Sequence, residues 1–251
     1  SFLLKLIEYA EKNDIDYRHS SVKGVVCIGE TLRQQDFSPN LLTDKIMEKW
    51  PELRLYSTYA STEMSTTFTE CDAQQGGHHH PELIITEVLD DEGNPLPYGQ
   101  LGELTITTLG VEGMPLLRFR TGDMVTLYDT PCSCGRNTLR VSPVVGRKQQ
   151  MIKYKGTTLY PPALMDLLTE FAQVENYIIE ISSNEILTDE ILIKIGTCEP
   201  SEALKEEIAN HFRAKMRVVP KIEFYPVDTI EQQLYPKGSR KPVKFIDRRG
   251  E

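Results

Sequence analysis

Tyr59-Ala60-Ser61-Thr62-Glu63 follows a predicted strand at residues 53–56 and combines an aromatic ring, two hydroxyls and a carboxylate. An aromatic ring can stack on a purine, hydroxyls can bond phosphate oxygens, and a carboxylate can hold a magnesium ion beside them. This is the chemistry needed to bind ATP or an acyl-adenylate. The string alone is a weak signal, because small polar residues after a strand usually form only a turn. Its meaning therefore depends on what the rest of the chain supplies.

The composition is that of an ordinary globular protein. The chain has 251 residues, 39% apolar and 26% charged, enough for one large or two smaller domains. The chain contains no run of about 18 apolar residues, so no membrane span is predicted. The apolar run Phe2-Leu3-Leu4 is too short for a signal peptide. The net charge of −9 argues against sequence-independent nucleic-acid binding. We expect a cytoplasmic protein whose five cysteines are free thiols or metal ligands.

The first sixty residues alternate between predicted helices and strands. Apolar side chains recur at helical spacing in residues 2–12, and an apolar run at 22–28 predicts a buried strand. A second helix contains residues 41–47 and ends at Trp50-Pro51. Together with the strand at 53–56, this order predicts an α/β unit with parallel strands. Because the unit begins with a helix, we expect the chain to be a fragment of something longer.

The middle of the chain is predicted to be rich in β-structure. Its predicted strands are residues 83–89, 102–108, 117–120 and 124–128. Turns are predicted between them, at residues 90–94 and at Thr121-Gly122-Asp123. Short strands joined by turns indicate a β-rich subdomain.

The last hundred residues follow a different order. The predicted elements are a hairpin at 151–154 and 157–160, a helix at 161–171, strands at 174–182 and 191–196, a helix at 200–216 and a strand at 222–225. This order predicts a small α+β domain. We therefore expect one domain at residues 1–147 and a second at 148–251.

Two further strings could complete a nucleotide site. An aspartate on the predicted turn of Arg120-Thr121-Gly122-Asp123 can accept hydrogen bonds from both hydroxyls of a ribose, and such charge-assisted bonds are strong. Gly146-Arg147 lies at the predicted domain boundary, where the arginine could reach a ribose or a phosphate. Each string alone is more commonly a solvated turn or a surface charge. Their common order along one chain is what gives them weight.

In that order the strings resemble motifs of the adenylate-forming superfamily of acyl-CoA synthetases, luciferases and peptide-synthetase adenylation domains. Residues 59–63 match the family's Tyr-Gly-x-Thr-Glu motif, with Ala60 in place of glycine, and residues 120–123 match Arg-Thr-Gly-Asp without change. Residues 102–104 match Gly-Glu-Leu, and residues 146–156 match all but one fixed position of Gly-Arg-x-Asp-x-x-Ile-Lys-x-x-Gly. Within the superfamily the chain looks most like phenylacetate–CoA ligases. The resemblance implies an α/β and β-rich part of the large adenylate-binding domain, followed by a small ferredoxin- or ACT-like domain.

The resemblance also implies a role for each matching residue. Glu63 would hold the magnesium of ATP, and Thr62 would bond the α-phosphate. Tyr59 would lie against the adenine, and Asp123 would bind the ribose hydroxyls with help from Arg147. The full implied nucleotide-binding set is Gly29, Glu30, Tyr59, Ala60, Ser61, Thr62, Asp123 and Arg147.

The implied reaction joins a carboxylic acid, expected to be an aryl acid, to coenzyme A. ATP and Mg²⁺ would first convert the carboxylate to an acyl-adenylate with release of pyrophosphate. The thiolate of CoA would then displace AMP. The resemblance implies no nucleic-acid or membrane partner, and the oligomeric state stays open, with a homodimer as one option.

The family also uses a lysine near its C-terminus. Counting back from Asp247 assigns this role to Lys241, whereas counting from Gly238 would put Ser239 there, and a solvated basic tail is the plain alternative. The chain departs from the family in two respects. Gln149 replaces the aspartate that serves as hinge residue, and the family's Ser/Thr/Gly-rich phosphate loop does not occur. We therefore expect a fragment with little or no complete activity.

The cysteines suggest a metal site. Cys132 and Cys134 are close in sequence, and with Cys71 and one imidazole they would make a tetrahedral Cys₃His set suited to structural zinc. The imidazole could come from His78, His79 or His80. We choose His79, because related ligases read Gly-x-His at this point. The plain alternative is free thiols in a turn and histidines in a polar loop.

Two other functions are consistent with parts of the sequence. The same motifs would serve an adenylyltransferase that acts on a flavin-like coenzyme in place of CoA. The last domain resembles small-molecule sensor domains of the ACT type, which would suit a non-catalytic regulatory module. Fold analogy is weak evidence for function, and a sensor has no need for the Arg-Thr-Gly-Asp string.

Overall fold

The structure is a computed structural model that describes residues 2–183, 189–236 and 242–249. The chain divides into two compact units, Ser1–Lys148 and Gln149–Glu251. Each unit has its own hydrophobic core. Within the described residues, no helix is long and apolar enough to cross a membrane. The predicted mixture of α/β and α+β structure is confirmed.

The first unit begins with two helices and two strands in the predicted order. These are α1 (Phe2–Lys12), β1 (Gly24–Ile28), α2 (Leu41–Lys49) and β2 (Arg54–Ala60). The strands pair in parallel, as predicted, and the helices cover them with a core that includes Ile7, Ile46 and Leu55. The Asn40 side chain caps α2 by accepting a hydrogen bond from the backbone N–H of Thr43.

The remainder of the first unit extends this sheet with short strands. They are β3 (Thr67–Thr69), β4 (Gly77–His78), β5 (Ile84–Leu89), β6 (Leu101–Thr108), β7 (Phe119–Tyr128), β8 (Arg140–Val141) and β9 (Gly146–Arg147). In the described part of the chain, nine strands form one sheet in the order β1-β2-β3-β4-β8-β7-β6-β5, with β9 beside β7. All pairings beyond β2 are antiparallel.

Two predictions of local structure in this unit were wrong. Strand β2 does not end at Tyr56 but runs to Ala60, because β3 pairs with its last residues and extends the ladder. The predicted turn at residues 121–123 lies inside β7. Gly122 does have a positive φ of 77°, and the pairing of β6 with β7 shifts register nearby. The irregularity is therefore absorbed as a bulge, and the strand continues.

The second unit is a small α+β domain. Its elements are β10 (Ile152–Tyr154), β11 (Thr157–Leu159), α3 (Pro161–Thr169), β12 (Asn176–Ser183), β13 (Asp189–Gly196), α4 (Glu202–Met216), β14 (Lys221–Tyr225), α5 (Val227–Leu234) and β15 (Phe245–Asp247). Four strands form one sheet in the order β14-β13-β12-β15. Strand β10 pairs with β11 as the predicted hairpin. The sequence did not predict α5 or β15. In α4, Leu204, Ile208 and Phe212 are four residues apart and are buried along one face of the helix.

Candidate functional site

A cavity of about 350 Å³ lies at the carboxyl ends of β1 and β2 in the first unit. We call it the strand-end pocket. Open α/β sheets bind ligands most often in the crevice outside these strand ends. Its walls are residues 28–31, residues 57–60, residues 141–144, Phe68, Glu70, Gly76, Gly77, Asp123 and Arg147.

The strand-end pocket brings together predicted residues from four separate stretches of sequence. Of the predicted nucleotide-binding residues, those that line it are Gly29, Glu30, Tyr59, Ala60, Asp123 and Arg147. Ser61, Thr62 and Glu63 are not among its lining residues and follow directly after the end of β2. The sheet explains the convergence, because Asp123 on β7 pairs with Arg147 on β9.

One hydrogen bond and one ion pair join three of these side chains around one carboxylate. The hydroxyl of Tyr59 donates to Oδ2 of Asp123 at 2.6 Å, and Nε of Arg147 lies 3.2 Å from Oδ1. Burial, followed by the hydrogen bond to Asp123, raises the pKa of Tyr59, so its hydroxyl remains a donor. A carboxylate has about four lone-pair sites. Each oxygen of Asp123 can therefore accept a further hydrogen bond, as two ribose hydroxyls would require.

The floor of the strand-end pocket contains two residues that the sequence analysis missed. The ring of Phe68 stacks on that of Tyr59 with centroids 5.9 Å apart and planes at 17°. Glu70 accepts a hydrogen bond of 2.8 Å from the backbone N–H of Ser57. Burial is the main cause of a raised pKa at Glu70. Both residues lie on or just after β3, a strand too short for its pattern to be recognised from sequence.

Glu63 lies beyond the end of β2 in an exposed turn. Its own backbone N–H, with a smaller contribution from the Ser61 side chain, lowers the pKa of its carboxyl group. Glu63 is therefore ionised at neutral pH and has oxygen atoms suited to a hard cation such as Mg²⁺. Lys241, the predicted catalytic lysine, lies outside the described residues.

A second cluster of chemical interest lies on the same sheet. Within the described residues, Cys71, His78, Cys132 and Cys134 each offer a ligand atom within 4.8 Å of the others. We call this the Cys/His cluster. It contains the three predicted thiols, but its histidine is His78, so our choice of His79 is corrected. His78 is the last residue of β4 and His79 follows it, and the two side chains have different surroundings. Nε2 of His79 instead lies 2.8 Å from the carbonyl oxygen of Ile84, and its ring stacks on Phe68.

The spacing of the donor atoms fits a tetrahedral metal ion. Zn–S bonds of about 2.3 Å imply roughly 3.8 Å between two sulfurs of a tetrahedron. Sγ of Cys71 lies 3.6 Å from Sγ of Cys132, and Sγ of Cys134 lies 3.5 Å from Nε2 of His78. The other ring nitrogen of His78 lies 3.0 Å from the Thr138 hydroxyl, which orients Nε2 toward the thiols.

The acid–base properties of the cluster differ from ligand to ligand. The backbone N–H of Arg136 is the main cause that lowers the pKa of Cys134 to about 7. Burial raises the pKa of Cys71 and lowers that of His78. A neutral imidazole and a thiol that readily becomes a thiolate are the forms that ligate a metal.

The chain is similar in sequence to known CoA ligases. A phenylacetate-coenzyme A ligase from Thermus thermophilus is 34% identical over 181 residues, which cover 67% of this chain and 41% of that protein. A phenylacetate-coenzyme A ligase from Aromatoleum evansii is 25% identical over 266 residues, which cover 99% and 56% respectively. The chain therefore spans about half the length of these relatives. No protein-family model matches it.

Solved structures share its fold. A 2-hydroxyisobutyryl-CoA ligase in complex with 2-HIB-AMP matches with a TM-score of 0.75 at 22% identity, over 98% of this chain and 52% of that one. An anthranilate CoA ligase in complex with anthranoyl-AMP matches with a TM-score of 0.62 at 18% identity, over 89% and 44%. The sequence relatives and the fold agree: the chain belongs to the adenylate-forming superfamily, and its sequence is similar to the phenylacetate–CoA ligases of that superfamily.

Proposed function

We propose that the chain supplies the nucleotide-binding part of an ATP-dependent, AMP-forming carboxylic acid–CoA ligase. One observation carries this proposal. Three residues from three motifs, Tyr59, Asp123 and Arg147, meet at the strand-end pocket and are joined through one carboxylate. Each oxygen of Asp123 has one protein partner and keeps a second lone pair that can accept a hydrogen bond from a ligand in the cavity.

In this function the strand-end pocket holds the adenosine part of ATP and of the acyl-adenylate. Asp123 accepts hydrogen bonds from the ribose hydroxyls, and Arg147 orients its carboxylate. The base lies against the ring of Tyr59, whose stacking on Phe68 fixes the plane of that ring. Gly29 and Glu30 line the same cavity after β1. These residues bind and orient the nucleotide rather than move protons.

The reacting phosphates lie outside this cavity in our proposal. Thr62 would bond the α-phosphate, and Glu63 would hold Mg²⁺, whose charge would offset the negative charge on the departing pyrophosphate. The Mg²⁺ dependence of ATP binding tests the role of Glu63. Lys241 bridges the carboxylate and the phosphate and remains a prediction. The acid attacks the α-phosphorus through a carboxylate oxygen, and the CoA thiolate then displaces AMP from the acyl carbon.

The acid is the least constrained component. The curated relatives are phenylacetate ligases, so we propose an aryl carboxylic acid with CoA as acceptor. Pyrophosphate release that depends on an added aryl acid tests this substrate class. Adenylyl transfer to a coenzyme would instead leave AMP covalently attached to the acceptor and form no thioester.

We also propose that the Cys/His cluster binds a structural zinc ion. Its support is the donor set and the spacing described above. Four protein ligands complete a tetrahedron, so the ion would have no open position for substrate or water. Its contribution would be to join β4 to the segment after β7, where Cys132 and Cys134 lie.

Calorimetric titration of AMP into the chain tests the nucleotide site. Asp123→Ala should weaken AMP binding at least about tenfold, because hydrogen bonds to a charged group are each worth about 1.5–3 kcal/mol. The matched control is Asp129→Ala, an exposed aspartate close by in sequence and outside the pocket, which should leave the affinity unchanged. Equal affinities for wild type and Asp123→Ala would refute this site.

A further inference from the structure

Glu70 is an acidic residue that is almost completely removed from water and yet lines the strand-end pocket. Only 3% of its side chain is exposed. Oε2 accepts a hydrogen bond of 2.8 Å from the backbone N–H of Ser57. Oε1 lies 3.5 Å from Nε of Arg33, which is a long contact. Burying a carboxylate costs free energy unless both of its oxygens accept hydrogen bonds. Oε1 of Glu70 therefore needs a hydrogen-bond donor.

The partner of that second oxygen is poorly aligned. Arg33 is as buried as Glu70 and donates through Nη2 to the carbonyl oxygen of Leu55 at 3.1 Å. Among the groups that the structure describes, Nε of Arg33 has no hydrogen-bond partner. The Arg33–Glu70 contact is therefore an ion pair without a well-formed hydrogen bond. Oε1 of Glu70 keeps the capacity to accept one from a ligand in the pocket.

The position of Glu70 relative to the aromatic floor follows from strand register. Tyr59 pairs with Phe68, and the backbone N–H of Glu70 donates to the carbonyl of Ser57, two residues earlier on β2. Alternate strand residues share a face, so Ser57 and Glu70 stand on the same side of the sheet as the two rings. Two residues of strand are about 6.8 Å long, comparable to the long dimension of a purine.

We propose that Glu70 makes the strand-end pocket selective for a purine with a 6-amino group, by accepting a hydrogen bond from that group. The inference rests on the proposed nucleotide-binding function and adds what distinguishes adenine from other purines. With its sugar held by Asp123 and its base over the ring of Tyr59, a purine directs its far edge toward Glu70. A 6-oxo purine would place an acceptor against the carboxylate, which leaves both groups unpaired and disfavours binding.

Titration of the chain with AMP and with inosine 5′-monophosphate (IMP), whose base carries an oxygen at position 6, tests this inference. Wild type should bind AMP at least about tenfold more tightly than IMP. Glu70→Gln replaces one oxygen with an amide that can donate to the 6-oxo group. It should weaken AMP binding, strengthen IMP binding and bring the ratio of the two dissociation constants to about one. A gain of IMP affinity cannot come from misfolding.

A second buried carboxylate provides the matched control. Glu103 is 6% exposed and bonded to Arg120 and Lys148, and it lies outside the pocket. Glu103→Gln should keep the wild-type ratio of AMP to IMP affinity. If Glu70 only joined β2, β3 and Arg33, Glu70→Gln would weaken both nucleotides equally, and that result would overturn the inference while leaving the nucleotide site intact. Failure of wild type to bind AMP would instead refute the proposed function and this inference together.

Discussion

The strand-end pocket and the Cys/His cluster adjoin each other at β4 but use their polar groups in opposite ways. Gly77 on β4 lines the pocket, and its neighbour His78 belongs to the cluster. In the cluster, each donor atom lies near the other three and faces inward. In the pocket, Asp123 retains acceptor capacity toward a cavity. The difference is the one expected between the two ligands that we propose, a zinc ion bound once in a closed site and a nucleotide that must enter and leave.

The two sites also differ in the free energy to which they contribute, which is the free energy of folding for the cluster and the free energy of ligand binding for the pocket. A closed metal site contributes to the stability of the fold, because its ligands are not held together in the unfolded chain. A nucleotide pocket contributes mainly to ligand affinity, and its polar groups reduce stability when they are left unsatisfied. Variants of the cluster should therefore act first on unfolding, and variants of the pocket should act first on binding.

The largest effect is expected from the cluster. Cys132→Ser removes a buried sulfur ligand and should lower zinc content from one ion per chain to well below one. It should also destabilise the first unit by about 4 kcal/mol or more, since metal binding is coupled to folding. At about 2–4 °C per kcal/mol, the melting temperature should fall by about 10 °C. Metal analysis and thermal denaturation of protein purified without chelators measure both quantities.

Cys198→Ser is the control for this prediction. Cys198 is exposed and lies in the second unit, so its replacement should change neither zinc content nor melting temperature. Wild-type protein without zinc would contradict a metal site. If zinc were bound but Cys132→Ser melted like wild type, the ion would be peripheral to the fold.

The elements that the sequence predicted are those with a clear internal pattern. Helix α1 matches its predicted bounds because its apolar spacing alone specifies an amphipathic helix. Strands β3, β4, β8 and β9 have two or three residues each and exist only through their partners. The turn signal at Gly122 was locally correct, since φ is positive there, but cross-strand pairing of β7 overrides it.

Local sequence patterns also predicted some residues of the two sites and missed others. Motif strings identified Tyr59, Asp123 and Arg147 because each carries chemistry in a recognisable local order. They could not single out Glu70, whose place beside Ser57 depends on the register of β3 against β2. Nor could they choose between His78 and His79, since β4 ends between the two residues and only its pairing decides which imidazole lies beside the thiols.

An intermediate effect is expected at Tyr59. Tyr59→Phe keeps the ring that stacks on Phe68 and removes the hydroxyl that donates to Asp123. AMP affinity should fall about threefold to tenfold, because one hydrogen bond to a charged group no longer orients the ribose acceptor. Melting temperature should change little. The measurement is AMP titration of the single variant and of its combination with Asp123→Ala.

Tyr56→Phe is a matched control on the same strand. Its hydroxyl donates to Asp72 at the same 2.6 Å, but neither residue lines the pocket. AMP affinity should stay at the wild-type value. In the combined variant, loss of Asp123 should remove most of the effect of Tyr59→Phe, as expected for residues that act through one carboxylate. Fully additive losses would mean that the hydroxyl of Tyr59 contacts the nucleotide independently.

The smallest effect is expected at Arg147, and it sharpens the contrast between a closed and an open site. The side chain of Arg147 is 62% exposed beside an Asp123 side chain that is 11% exposed, and exposed ion pairs contribute about 0–1 kcal/mol. Arg147→Gln should therefore weaken AMP binding only about twofold to threefold at low salt. In 1 M NaCl, where charges are screened beyond about 3 Å, the difference in AMP affinity between Arg147→Gln and wild type should vanish.

The control is Arg54→Gln, which removes another exposed arginine–aspartate contact of 3.2 Å and should leave AMP affinity unchanged at any salt concentration. A loss above tenfold that persists in high salt would instead mean that Arg147 bonds the nucleotide directly through a contact sheltered from solvent.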